Sequence, residues 1–285
     1  MDLLNRYSNK QNINMKRIDN YIWMSVLIIL SGILFSCEKE IDIRLDGVEK
    51  RYVVEAVVTD EEGGSKVLIS QTKDFDEDNT RATVSGAIVS MSDGTNSIDL
   101  EETAPGEYTS PTWLGTPGTT YHLRVQIGDE QITASSTMPD LIRMDSLYIR
   151  EELIFGEIQK LATIDFMDPF GVPNYYRFVL YVNDRKIKQI FAFNDELTDG
   201  NANSLSLYVL TEAEDDEDKI KSGDVVRVEM LTTDAAVYKY FFSLANSATG
   251  DSNSATPANP VSNLRGNALG YFSAHTIQRK EVVAP

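Results

Sequence analysis

The chain has a single cysteine, Cys37, which limits how its fold can be held together. An apolar run, residues 22–35, ends just before this cysteine, and Lys16 and Arg17 precede the run. The run is shorter than the roughly 20 residues of a membrane-spanning helix and matches the hydrophobic region of a signal peptide. Because a lone cysteine has no partner for an internal disulfide, the fold must depend on a hydrophobic core.

The residues Leu34-Phe35-Ser36-Cys37 resemble a bacterial lipobox, in which the cysteine is acylated and the leader is cut just before it. Phe35 is an unusual occupant of the position two before the cysteine. The pattern predicts residues 1–36 as a lipoprotein signal peptide and Cys37 as the lipid anchor, with Met15 as an alternative start. The other interpretation is a plain secretory leader, or a single membrane anchor, in which Cys37 is incidental.

Residues 37–50 are predicted to be a tether that starts with the surface-export signal Glu38, Lys39 and Glu40. This acidic segment resembles the signals that direct lipoproteins of Bacteroidota to the outer face of the outer membrane; the alternative is a solvated tether. Each buried methylene of an acyl chain contributes about 0.8 kcal/mol, so the two or three chains of a mature lipoprotein anchor it durably. We therefore expect a lipid-anchored outer-membrane protein that faces the cell exterior.

The charge of the chain argues against nucleic acid as a partner. The chain has 26 Lys+Arg and 44 Asp+Glu, and without residues 1–36 the counts are 22 and 42, a net charge of −20. Such a charge repels phosphate backbones, which proteins bind through lysine and arginine. The remaining chain of about 250 residues is long enough for two domains and for a core that needs no disulfides.

Short alternating segments separated by turns predict a β-sandwich over residues 51–139. In residues 121–127, apolar side chains alternate with His122, Arg124 and Gln126, which indicates a strand with one buried face. About seven such strands are typical of an immunoglobulin-like or fibronectin-III-like sandwich, in which Tyr121 would serve as the corner tyrosine.

The pattern changes near residue 139, and we place a domain boundary there. A second β-rich domain is predicted over residues 140–285, with strands at 146–150, 161–166, 175–182, 187–193, 205–210 and 225–231. After Asp234, a predicted N-cap, apolar residues at helical spacing predict one helix near residues 235–246. Residues 268–283 are expected to form a closing strand or hairpin. The fold class is therefore mainly β, a sandwich followed by a β-rich domain with one helix.

Three segments resemble a Bacteroidota family called domain of unknown function 4249. They are residues 53–60, residues 238–241, and residues 259–273 with the motifs Asn263-Leu264-Arg265-Gly266 and Leu269-Gly270-Tyr271-Phe272. The family usually has a further glycine where this chain has Asn267-Ala268. The resemblance extends from about Cys37 to Val283. It implies an outer-membrane lipoprotein that assists a TonB-dependent β-barrel receptor in nutrient capture, and it implies no catalytic residues.

No catalytic or metal site is predicted. The sequence lacks the Gly-x-Ser-x-Gly, His-Glu-x-x-His and Gly-x-x-x-x-Gly-Lys motifs, and its only histidines, His122 and His275, are expected to be surface or hydrogen-bonded residues. The acidic segments 74–79 and 212–218 offer carboxylates to calcium, although hydrated loops are the favoured interpretation. Trp113 is expected to fold over the sandwich end; the alternative is an exposed indole that stacks on a sugar or anchors a partner. No cofactor is expected, and the ligand is not identified.

The function that these features favour is a non-enzymatic surface lipoprotein that binds a ligand, or a receptor, for TonB-dependent uptake. A structural or adhesive protein of the cell envelope is the alternative. A hydrolase is the least supported, since no site for one is visible.

The export signal can be tested by replacing Glu38, Lys39 and Glu40 with alanine and labelling intact cells. We expect the surface label to be lost, because the acidic run would no longer direct the lipoprotein outward. Surface labelling that does not change would contradict the prediction.

Overall fold

Short β-strands make up most of the structure, as the alternating pattern predicts. The computed structural model describes residues 49–74, 80–154, 156–209, 218–248 and 259–285. The strands of the first half are β1 (Tyr52–Thr59), β2 (Lys66–Gln71), β3 (Ala82–Thr83), β4 (Ile88–Ser92), β5 (Ser97–Asp99), β6 (Glu101–Ala104), β7 (Glu107–Thr109), β8 (Thr120–Ile127) and β9 (Glu130–Thr137).

The second half adds longer strands and, within the described ranges, the one helix. The strands are β10 (Met144–Ile154), β11 (Glu157–Met167), β12 (Tyr175–Val182), β13 (Arg185–Lys186), β14 (Phe191–Asn194), β15 (Ala202–Leu207), β16 (Val225–Thr233) and β17 (Ala268–Val283). The helix, α1 (Ala235–Ala248), lies between β16 and β17. The mainly β class with one helix is thus confirmed for the described residues.

The first hydrophobic core lies between two sheets. One layer is the run β17-β1-β2-β7-β6, with β3 beside β2, and the other is the sheet β5-β4-β8-β9. Strand β8 has the predicted alternation, since Leu123 and Val125 are buried while His122 and Arg124 are exposed. The core includes Phe272 of β17, the last strand of the chain. The sandwich that the sequence predicts therefore recruits a strand from the far end of the chain.

Tyr121 makes the corner contact that the sandwich interpretation predicts. Its hydroxyl accepts a hydrogen bond from the backbone N–H of Thr116 at 2.7 Å. The half-buried Trp113 ring meets the Tyr121 ring edge to face, with the ring centroids 6.2 Å apart. Trp113 therefore packs over the sandwich end, which is the favoured of its two interpretations.

The second core lies between the other end of the long sheet and a small sheet. Strands β12, β16 and β17, with β13 and β14 beside β12, form one layer, and the sheet β10-β11-β15 forms the other. Tyr176, Phe178 and Leu180 point into this core from β12, opposite Ile164 of β11. The predicted strand 187–193 is wrong as one element, because β13 ends at Lys186 and β14 begins at Phe191.

Strand β17 belongs to both halves of the structure. It pairs in parallel with β1, from Tyr52↔Ala268 to Thr59↔His275, and then antiparallel with β16, from Thr232↔Thr276 to Val225↔Val283. The sheet order is therefore continuous, β13-β12-β16-β17-β1-β2-β7-β6. Residues 268–283 form one strand, and residues Glu49–Pro285 form one compact unit. Met138 lies in the first core and Ile142 in the second, but the division into domains near residue 139 stays a prediction.

The carboxylate of Asp234 caps the helix and also ties it to the first sandwich. Its Oδ1 accepts hydrogen bonds from the backbone N–H groups of Ala236 and Val237, at 3.0 and 2.9 Å, as expected of an N-cap. Its Oδ2 accepts from the Ser136 hydroxyl at 2.7 Å and from the Thr137 backbone at 3.0 Å, both on β9. The start of α1 is thereby fixed to the edge of the four-stranded sheet.

The aromatic face of α1 packs on the outer side of the long sheet. The Phe241 ring lies 3.7 Å from the guanidinium carbon of Arg177 and its centroid is 4.8 Å from that of Tyr271. Burial lowers the pKa of Arg177. The ring face stabilises this cation through a cation–π contact, which helps to offset its desolvation.

The parallel pairing of β17 with β1 depends on Gly270. Its φ of +106° suits glycine, and a Cβ there would lie 2.7 Å from the Val54 carbonyl carbon. We expect Gly270→Ala to lower the free energy of unfolding by at least about 3 kcal/mol, because backbone strain adds to separation of the two strands. Urea unfolding measures this loss.

The matched control for Gly270→Ala is Gly223→Ala. Gly223 also has a positive φ, +90°, but a Cβ there meets nothing within 4 Å. This variant should lose only about 1–2 kcal/mol, the cost of the backbone conformation. Equal losses for the two variants would contradict the close approach of β17 to β1.

Candidate functional site

The residues predicted to anchor and export the protein lie outside the described residues. These are Cys37, Glu38, Lys39 and Glu40, and their roles stay predictions. In the described part of the chain, no helix has the length and apolarity needed to cross a membrane.

Most of the two acidic segments also lies outside the described residues, namely 75–79 and 212–217. At their described ends, Asp74 pairs with Lys50 at 3.9 Å and Asp218 pairs with Arg185. Their interpretation as hydrated loops stays a prediction.

The two histidines lie in opposite environments. His122 is exposed on the outer face of β8, as predicted. His275 is 4 % exposed, and its Nδ1 lies 2.8 Å from the Ser273 hydroxyl, so it is a buried, hydrogen-bonded residue. Burial, together with the charges of Arg177 and Arg279, lowers the pKa of His275 to about 3. This histidine is therefore neutral at the junction where β17 changes partner.

A cluster of carboxylates forms where the loops after β11 and β14 meet. One oxygen of each of Asp168, Asp195 and Asp199 lies within 4.8 Å of the others, and the first two residues are buried. Asp168 accepts hydrogen bonds from the Tyr176 hydroxyl and, at 3.2 Å, from the Gly200 backbone. Burial and the Asp168 carboxylate raise the pKa of Tyr176, which therefore remains a donor.

Backbone N–H groups satisfy the other two carboxylates of this cluster. Asn174 donates to Asp195 at 2.6 Å, and Gly171 donates to Asp199 at 2.7 Å. The remaining oxygens are of the kind that hard cations such as calcium prefer. The expectation of no metal stays a prediction. Among the described residues, this cluster brings three carboxylates close enough together to bind one cation.

The sequence holds only a partial signal for this cluster. Asp195, Asp199 and Gly200 have the spacing of positions 1, 5 and 6 of a calcium loop, but Leu197 occupies position 3. Asp168 lies far from them in sequence and comes from a different loop. Only the fold brings the three carboxylates together.

A polar groove of about 770 Å³ lies on the outer face of the four-stranded sheet. Its floor has two cross-strand rows, Ser90–Arg124–Thr133 and Ser92–His122–Ser135, on β4, β8 and β9. One wall includes Asn263 and Arg265, and Ala236 at the start of α1 lines the groove as well. The groove therefore forms where the sandwich, the helix and the segment before β17 meet.

The motif Asn263-Leu264-Arg265-Gly266 is fixed to the structure by its backbone and by one amide side chain. Arg265 exchanges two backbone hydrogen bonds with Thr133 on β9, at 2.7 and 3.0 Å. The Asn263 amide accepts from the Phe272 N–H at 3.0 Å and donates to the Phe272 carbonyl at 2.7 Å. A Cβ on Gly266 would lie 2.6 Å from the Gln131 carbonyl oxygen, so glycine permits this close approach. The motif is thus a structural strap that covers the edge of β9 and presents the Arg265 side chain.

The model of a protein family described as Domain of unknown function (DUF4249) matches residues 38–281. The chain belongs to the DUF4249 family. The match includes the strap, the carboxylate cluster and all residues that line the groove, and it confirms the resemblance found in the sequence. A comparison with curated proteins finds no match. Because the DUF4249 family has no assigned function, membership adds no activity, and the link to Bacteroidota and to TonB-dependent receptors stays a prediction.

The buried histidine makes the stability of this DUF4249 chain depend on pH. An unfolded histidine has a pKa near 6.5, whereas that of His275 is about 3, so the unfolded state binds more protons between these values. Neutral His275 makes its full contribution to the free energy of unfolding above pH 6.5, and this contribution is lost as the pH falls from 6.5 toward 3. Between pH 7 and pH 5 this loss is about 2 kcal/mol, from the maximum slope of about 1.4 kcal/mol per pH unit.

We expect His275→Asn to remove that part of the pH dependence. Urea unfolding at pH 7 and pH 5 would measure it as a smaller difference between the two free energies. His122→Asn is the matched control, since His122 is exposed, and it should leave the difference unchanged. A difference between pH 7 and pH 5 that is as large in His275→Asn as in the native protein would contradict the assignment.

Proposed function

We propose that this protein is a non-enzymatic lipoprotein on the exterior of the outer membrane, where it binds a ligand for a TonB-dependent uptake receptor. The observation that carries the proposal is the position of Cys37. It follows directly on a short apolar leader, residues 22–35, and precedes a compact folded unit that begins at Glu49. Lipidation at this sulfur would make the predicted tether, residues 37–50, the connection to the membrane.

The shape of the folded unit supports a binding role. Its groove is concave and lined by convergent polar side chains, which are features of ligand sites. Ser273 and His275 are hydrogen-bonded to each other, and they are only 2 % and 4 % exposed. The Ser273 hydroxyl therefore has a structural role and cannot reach a substrate as a nucleophile. These features favour capture of a ligand over its chemical conversion.

The proposed function makes predictions about the mass of the native protein and about the proteins that purify with it. Purified from detergent-solubilised outer membranes, it should begin at Cys37, carry two or three acyl chains on that residue, and bring a stoichiometric β-barrel receptor with it. Cys37→Ser should abolish acylation and retention in the membrane, because serine lacks the thiol. Intact-mass analysis and protein identification measure these outcomes.

Ser36→Ala is the control, since a small residue is kept before the cysteine and lipidation should persist. An unacylated sulfur, or a retained leader, would contradict the lipoprotein assignment. A lipidated protein that purifies without any receptor would contradict the partnership and favour a structural or adhesive role in the envelope.

A further inference from the structure

The groove differs in charge from the rest of the protein. The chain after residue 36 carries a net charge of −20, yet the residues that line the groove include two arginines, one histidine and no acidic side chain. Asp99 lies opposite Ser90 on β5 but does not line the groove. In so acidic a chain, a groove without carboxylates favours an anionic ligand.

The arginines are placed to act on one ligand. Arg124 of β8 lies opposite Thr133 of β9, and Thr133 forms a bridge to Arg265 in the strap. Two strand spacings separate the arginines, so their Cα atoms are about 10 Å apart. Both side chains line the same groove. Guanidinium groups bind carboxylate and sulfate through paired hydrogen bonds.

The structure gives these cations no other role. Arg124, Arg265 and His122 are exposed, and among the described residues none of their side chains has an ion pair or a hydrogen bond. Arg265 supports the fold through its backbone, which any residue other than proline could do. Its cationic side chain is therefore not needed for the strap, and it remains available to a ligand.

The rest of the floor favours a ligand rich in hydroxyl groups. Ser90, Ser92, Thr133 and Ser135 supply hydroxyls around the arginines, whereas the apolar lining residues Met91 and Leu123 are almost fully buried beneath them. The hydroxyl groups of a sugar ring can both donate hydrogen bonds to such side chains and accept hydrogen bonds from them. Nucleic acid is disfavoured by the net charge.

We infer that the groove binds an acidic saccharide, with Arg124 and Arg265 holding its carboxylate or sulfate group and the serine and threonine hydroxyls contacting the ring. The inference names the ligand class for the binding role proposed above and rests on that role. It also assigns a function to the exposed arginine of the strap.

The test is isothermal titration calorimetry of the processed full-length protein in detergent at low salt. The probes are tetragalacturonate, a sulfated tetrasaccharide, a neutral galactose tetrasaccharide and tetraglutamate. We expect binding of at least one acidic saccharide, and binding at least tenfold weaker for the neutral saccharide and for tetraglutamate. A carboxylate preference and a sulfate preference are distinguished by the first two probes.

Arg124→Gln and Arg265→Gln should each weaken that binding at least tenfold, as expected for loss of a charge-assisted hydrogen bond. Arg143→Gln is the matched control, because Arg143 is exposed and does not line the groove, and its affinity should stay within twofold. Thermal unfolding of each variant checks that the fold is intact.

Three results would overturn the inference: no binding of either acidic saccharide, equal affinity for the neutral saccharide or tetraglutamate, or equal effects of Arg143→Gln and the groove variants. If a receptor co-purifies with the protein but no saccharide binds, the ligand class is wrong and the proposed function still stands. Saccharide binding without a receptor would leave the inference standing and contradict only the partnership.

Discussion

The parallel pairing of β17 with β1 joins the two halves of the structure, because the same strand goes on to pair with β16. It contributes Ala268, Phe272 and Ala274 to the first core and packs Val282 against the second. Its two halves use different geometries, parallel and then antiparallel, and the change falls at the buried pair His275 and Thr276. Beside it, Asp60 accepts a hydrogen bond from the Ile277 backbone, and Arg279 contacts both Glu61 and Glu229. Charged groups from both halves thus meet along this strand.

A few polar side chains attach the outer elements to this sheet. Asp234 satisfies the first turn of α1 with one oxygen and two groups of β9 with the other. The Ser136 hydroxyl that donates to Asp234 accepts from the Ala274 backbone of β17. Asn263 fixes the strap to Phe272 on the same strand. The groove is therefore assembled from the four-stranded sheet, α1 and the strap, whose positions are coupled through hydrogen bonds.

Individual strands and the helix could be predicted from the sequence, because each depends on residues close together in the chain. Alternation at residues 121–127, the Asp234 cap and the helical spacing after it predicted β8 and α1, and Tyr121 makes its predicted corner contact. The partner of β17 could not be predicted, since Ala268 pairs with Tyr52 and nothing in either segment specifies that distant match. The groove and the carboxylate cluster were missed for the same reason. Arg124 and Arg265, or Asp168 and Asp195, become neighbours only through long-range pairing. The anchor at Cys37 rests on its motif alone.

The position of β17 at the end of the chain has a consequence for biogenesis. A chain made from its N-terminus contains β1 and β16 before it contains β17, the strand that pairs with both. Contacts between positions so far apart in sequence form late and slowly, because a long loop must close first. Until β17 is present, the β17-facing edges of β1 and β16 have no native partner and are open to pairing with other chains. These two edges therefore need shielding until β17 has formed, and loss of β17 would take the shared strand from both halves of the structure at once.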